Sequence, residues 1–89
     1  MSYIVYIIYS LKCDVYYKGH TENIKQRLES HNTDKSKYTS GKGPWELVYH
    51  EVFVTRSEAI KREKQLKRQN RKYLEWLING VKEGERNLG

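Results

Sequence analysis

Tyr6 and Tyr17 flank a polar break at residues 10–14, each within a run rich in β-branched and aromatic residues. Two such runs around a break of about 4–5 residues predict a β-hairpin. With the turn centred near Leu11 or Lys12, the two tyrosines stand opposite each other on one face, Cβ atoms ~5 Å apart. Two phenol hydroxyls are then held side by side, or both rings are simply packed, since tyrosine is a good strand residue. Arg27 and His31 lie four residues apart on a predicted helix, so their tips converge on one spot. Glu63 shares a core-facing helical stripe with Ala59 and Leu66. A carboxylate there needs a cation, a metal or a strong hydrogen-bond network, because burying it unpaired is costly. The other arrangement rotates the stripe toward Ile60 and leaves Glu63 exposed, paired with Lys67.

The charge is concentrated. The chain carries a formal +6, and residues 61–72 hold seven basic side chains against Glu63 alone: Lys61, Arg62, Lys64, Lys67, Arg68, Arg71 and Lys72. Elsewhere ten basic residues meet ten acidic ones. A run of this kind is a solvated helix face or, given its lopsidedness, a local field that attracts polyanions. Lys35, Lys37 and Lys42 sit in a stretch broken by serines, glycines and Pro44, with a short helical turn expected near residues 36–39. Lysines interleaved with hydroxyls and open backbone amides suit phosphate contacts as well as an ordinary connection.

These residues need elements to position them. Residues 3–9 are apolar on both alternating sets, which marks a strand covered on both sides, hence central. Residues 15–19 form its partner, ending at Gly19, where a positive φ or a close approach by another chain is allowed. Thr21 suits a helix N-cap, and Ile24 and Leu28 give that helix its buried stripe to about Ser30 or His31. Residues 45–54 make a third strand, with Leu47, Tyr49, Glu51 and Phe53 on one face and Val48, His50, Val52 and Val54 on the other. Thr55 to Glu58 fits a capping box before a long helix. Asn70 caps a last helix carrying Tyr73, Leu74, Leu77 and Ile78, with Gly80 as its stop. The 89 residues therefore amount to one domain over 1–80 and a flexible tail over 81–89. The single Cys13 excludes an internal disulfide, and the longest apolar stretch, within residues 4–9, is too short to span a bilayer. A soluble, cytoplasmic chain with no membrane partner is the expectation.

The ordered set resembles the GIY-YIG endonuclease superfamily, and more closely its small single-domain bacterial members related to the excision-repair nuclease subunit. Ile4-Val5-Tyr6 stands for the first motif, keeping its tyrosine, and Tyr17-Lys18-Gly19 for the second, with lysine in the middle position. Arg27 and His31 follow within Gln-Arg-Leu-Glu-Ser-His-Asn. Residues 43–49 and 55–67 resemble the small members strongly.

The resemblance implies an α+β fold of three antiparallel strands flanked by helices. It also implies hydrolysis of phosphodiester bonds in nucleic acid, DNA more than RNA, with low sequence specificity. It implies one divalent ion, Mg²⁺ or Mn²⁺, on Glu63, with Arg27 stabilising the phosphate. Tyr6 or Tyr17 takes the proton of the attacking water, Tyr6 being favoured, and His31 orients a phosphate or assists the tyrosine. Nucleic acid is expected on Lys35, Lys37, Lys42 and the basic residues of 61–72. The alternative is a non-catalytic nucleic-acid-binding module on the same fold. A zinc site from Cys13, His20, His31 and His50 fits poorly, because no paired short spacing is present.

Overall fold

The computed structural model describes residues 2–33 and 39–88, with residues 81–88 as backbone. The elements run β1 (Tyr3–Ser10), β2 (Val15–Thr21), α1 (Ile24–Asn32), β3 (Trp45–Phe53), α2 (Arg56–Lys67) and α3 (Arg71–Leu88). The three strands form one antiparallel sheet in the order β2-β1-β3. The central place of β1 follows from its sequence: Val5, Tyr6, Ile7 and Ile8 are all buried because both faces of the strand are covered.

Each face has its own core. On one, Val5 and Ile7 pack with Ala59 and Leu66 of α2 and Leu74 of α3. On the other, Tyr6, Ile8 and Trp45 pack with Ile24 and Leu28 of α1, and with Val15, Tyr17 and Leu47. The α2 stripe reads as expected, with Ala59 and Leu66 fully buried. Thr55 caps α2, its hydroxyl accepting from the Glu58 amide, and Asn70 accepts from the Tyr73 amide at the start of α3.

The hairpin register differs from the sequence expectation by two residues. Tyr6 pairs with Gly19 and Tyr17 with Ile8, so the tyrosines are diagonal neighbours on one face, not directly opposed. The turn is centred one residue later because Asp14 adopts a left-handed φ of 56°. That conformation is open to aspartate without a glycine to mark it. Tyr9 donates to Asp14 Oδ1 (2.5 Å), and Arg71 of α3 bonds the same oxygen (2.5 Å) and the Asp14 carbonyl (2.9 Å).

Three further boundaries differ. α1 is capped by Asn23, whose side chain accepts from the Gln26 amide, while Thr21 serves the turn before it by accepting from the Asn23 amide. β3 changes register against β1 between Ile7 and Ile8. Leu47 therefore packs with Tyr6 and Ile8 on the α1 side and Val48 on the α2 side, the reverse of strict alternation. α3 continues through Gly80 to Leu88 instead of stopping there. The turn expected near residues 36–39 lies, but for Thr39, outside the described residues.

Candidate active site at the β2 edge

The site is built where α1 and α2 reach round β2, the edge strand, from opposite faces. Tyr6 is the pivot. Its side chain is 1% exposed, and its hydroxyl lies against the backbone of Gly19 across the strand pair. A Cβ at Gly19 would stand 2.7 Å from the Tyr6 hydroxyl oxygen and 2.9 Å from Cζ. Close approach by a side chain, not a positive φ, is what position 19 requires. The approaching group is a ring of the neighbouring strand.

α1 delivers Arg27 and His31 to the same phenol. Tyr6 Oη and His31 Nε2 are 2.8 Å apart, and Arg27 Nε donates to Tyr6 Oη at 3.4 Å. The convergence expected from their i, i+4 spacing is present. On its far side, His31 Nδ1 bonds the Thr39 hydroxyl at 2.8 Å, and both residues are fully buried. Tyr17 closes the cluster, its ring centroid 6.4 Å from that of Tyr6 and 5.0 Å from that of His31. Arg27 interacts with the Tyr17 hydroxyl as well.

Electrostatics assign the protons. Burial, reinforced by the Arg27 charge, pulls His31 down to about 4, so its ring is neutral at pH 7. Burial pushes the Tyr6 phenol up to about 12, with Arg27 pulling against it and Tyr17 and Glu63 adding to it. A neutral phenol and a neutral imidazole allow one consistent chain. Arg27 donates to Tyr6, Tyr6 donates to His31 Nε2, and His31 Nδ1–H donates to Thr39. Tyr6 is therefore a neutral phenol hydrogen-bonded to a neutral imidazole nitrogen.

Glu63 approaches from the other face. Its side chain is 15% exposed, and each oxygen is held: Oε1 accepts from His20 Nδ1, and Oε2 accepts from Lys67 Nζ at 2.7 Å. Both readings of its sequence environment are thus partly met, since Glu63 faces inward and is also paired with Lys67. Burial raises its carboxyl, but the Lys67 and then the His20 hydrogen bonds outweigh that and leave it below the usual carboxylate range. Its charge is felt at Tyr6. Lys67 in turn feels Tyr17, and with Tyr16, Tyr17 and Lys18 it lines a recess of about 410 Å³. Lys18, the lysine within the second motif, points away from Tyr17's face yet faces this same recess.

The remaining basic residues divide. Lys61, Lys64, Arg68 and Lys72 are exposed. Arg62 is half-buried and clamped on Glu51, Nε to Oε1 at 2.9 Å and Nη2 to Oε2 at 3.0 Å. Arg71 is committed to Asp14 and Glu75 and lies over the Tyr16 ring. Both arginines brace the fold before any ligand arrives. Lys42 accepts from Ser10 Oγ through its carbonyl at 2.5 Å, which ties its loop to the end of β1. Lys35 and Lys37 lie outside the described residues.

Two residues escaped the sequence reading of this centre. His20, which by sequence suggests no more than a poor zinc ligand, is the partner of Glu63. Thr39 sat in an apparent connecting loop, and it is the buried partner of His31. The signal available for His20 was its place on the same strand face as Lys18, one residue from the glycine of the second motif. The sequence offers no comparable signal for Thr39.

Sheet, helices and centre define a small α+β domain with a phenol-rich site at the edge of its sheet. The family described as the GIY-YIG catalytic domain matches residues 2–79, and the chain belongs to that family. It is 41% identical to a UPF0213 protein of Bacillus pumilus over 77 residues, 83% of this chain and 79% of that one. It is 39% identical to a UPF0213 protein of Clostridium perfringens over 83 residues, 90% and 89% of the two chains. A solution structure of a UPF0213 protein from Bacillus halodurans superposes with a TM-score of 0.57 at 34% identity, covering 89% of this chain and 84% of that one. The domain is accordingly of nuclease type, in a family whose members generally use a divalent metal.

Glu63 fits such an ion: it is a hard oxygen donor, ionised at neutral pH, at the rim of the site. Among the described residues no three His, Cys, Asp or Glu side chains gather into a metal cluster, so further ligands would be water and substrate oxygens. Among the described residues no helix is long and apolar enough to cross a membrane.

Proposed function

We propose that this protein is an endonuclease that hydrolyses phosphodiester bonds, in DNA more than RNA, with low sequence specificity and one Mg²⁺ or Mn²⁺ ion. The observation that carries the reading is the chain Arg27–Tyr6–His31–Thr39 set against an ionised Glu63. A divalent ion held by Glu63 would supply Lewis-acid charge to the scissile phosphate.

The protein's own groups supply the rest. Tyr6 accepts a proton from the attacking water as its own proton passes to His31 Nε2, so no free phenolate has to accumulate at neutral pH. Thr39 holds the His31 tautomer in which Nε2 is open to that proton. Arg27, already beside both phenols, meets the negative charge that develops on phosphorus oxygens. Tyr17 and Lys18 face the recess in which the phosphate lies, and exposed Lys61, Lys64, Arg68 and Lys72 extend the cationic surface along the strand of nucleic acid. Phosphate contacts alone carry no sequence information, which fits low sequence specificity.

Nicking of supercoiled plasmid in Mg²⁺ or Mn²⁺ tests this. Wild type converts the plasmid to open circles, and Glu63→Gln does so at least about 100-fold more slowly. Equal nicking by the two proteins refutes the ion assignment.

A further inference from the structure

Lys67 is placed oddly for a nuclease that needs Glu63 to hold an ion. Its ammonium occupies Oε2, the one carboxylate oxygen not already taken by His20. A dication and an ammonium cannot both sit on that oxygen without strong repulsion. Lys67 has room to leave, since its side chain is 51% exposed. It also has a destination. The recess beside it is lined by Tyr16, Tyr17 and a second lysine, Lys18, which is half-buried. Two lysines facing one recess repel each other, and an anion between them relieves that repulsion.

His20 has the opposite relation to the carboxylate. Its Nδ1 is hydrogen-bonded to Oε1, and it is set on the edge strand one residue from Gly19. Such a bond orients a ligating carboxylate and leaves its other oxygen free to coordinate.

Resting on the reading of Glu63 as the ion's ligand, we propose that Lys67 is an exchangeable counter-charge and His20 a fixed hydrogen-bond partner of the carboxylate. Lys67 holds Glu63 until a divalent ion displaces it, and the released ammonium then binds the substrate phosphate beside Lys18. His20 stays and fixes the angle at which Glu63 meets the ion. His20 is thus a positioning residue that acts on the ion through Glu63. The two contacts on one carboxylate thus act on ion affinity with opposite signs, a pattern that a merely structural ion pair does not give.

Mn²⁺ binding to the full chain without nucleic acid, read from the loss of the free-ion electron paramagnetic resonance signal, tests the signs. Lys67→Met should bind Mn²⁺ about fivefold more tightly than wild type. Lys67→Arg, which keeps the charge, should stay close to wild type. His20→Ala should bind about tenfold more weakly or worse. Unchanged or weaker binding by Lys67→Met overturns the proposal, as does unchanged binding by His20→Ala. Glu63→Gln separates the two levels of argument. If it binds Mn²⁺ like wild type, the ion assignment itself fails; if it loses the ion while Lys67→Met is unaltered, only the exchange fails. With a nuclease-resistant phosphorothioate duplex, added Mn²⁺ should tighten binding of wild type more than of Lys67→Met. Equal tightening removes the phosphate from the role of Lys67.

Discussion

The two sides of the sheet solve different physical problems at one edge. On the α1 side, Tyr6, His31 and Thr39 are buried and joined by short hydrogen bonds between neutral groups. On the α2 side, Glu63, His20 and Lys67 are partly exposed and joined by charge-assisted contacts. A dry, neutral chain holds its tautomers and geometry and suits proton transfer. A wetter, charged cluster tolerates exchange of one cation for another and suits an ion that arrives with water. The lesson is a division of labour, with Gly19 the point at which the Tyr6 hydroxyl closes on the edge strand.

That comparison can be broken from either side. The largest effect expected short of losing Tyr6 or Glu63 comes from Arg27→Ala. It should slow nicking about 100- to 1,000-fold, the range for removing one donor to a developing oxyanion. Its urea midpoint should stay near wild type, because Arg27 is only half-buried. A large fall in stability with little change in rate would make Arg27 a structural residue.

The α1 side makes a second, smaller prediction. His31 has a folded pKa of about 4, below the ordinary value of 6.5. A depressed value means that the unfolded chain binds the proton first. The contribution of His31 is therefore complete above pH 6.5 and is lost as pH falls toward 4. Urea unfolding at pH 7 and pH 4.5 should show wild type losing more stability between the two than His31→Asn does. Equal losses would mean that His31 is not held neutral by burial.

The smallest effect belongs to the outer surface of the α2 side. Replacing Lys61, Lys64 and Arg68 by glutamine should reduce the slope of log affinity against log salt by up to about 0.9 per phosphate contact removed. An unchanged slope removes them from the interface. Arg62 should contribute less to that slope than its charge suggests, because its guanidinium is already spent on Glu51.

The sequence carried the architecture well, and the reason is local. Apolar residues on both sets of β1 require two covered faces, and the caps at Thr55 and Asn70 act within three residues of themselves. It carried the α1 half of the centre too, because Arg27 and His31 are related by helix geometry alone. What it missed depends on contacts or strain that leave no local mark. The tyrosine register turned on a left-handed Asp14, and the faces of Leu47 and Val48 on a register shift with no glycine to announce it. His20 meets Glu63 across 43 positions, and Thr39 meets His31 from a loop with no periodicity. Spacing can bring helix neighbours together on paper, but an edge strand finds its partner only once the helix over it is placed.

The central claim is that the buried phenol, not the half-buried one, handles the proton. Its most direct test is the nicking rate of Tyr6→Phe in Mn²⁺ beside that of wild type. Removing one oxygen atom deletes the link between Arg27 and His31 while leaving the ring packed. A fall of about 100- to 10,000-fold, the range for losing a positioned acid–base group, is the expected result. Cleavage at the wild-type rate would contradict the account.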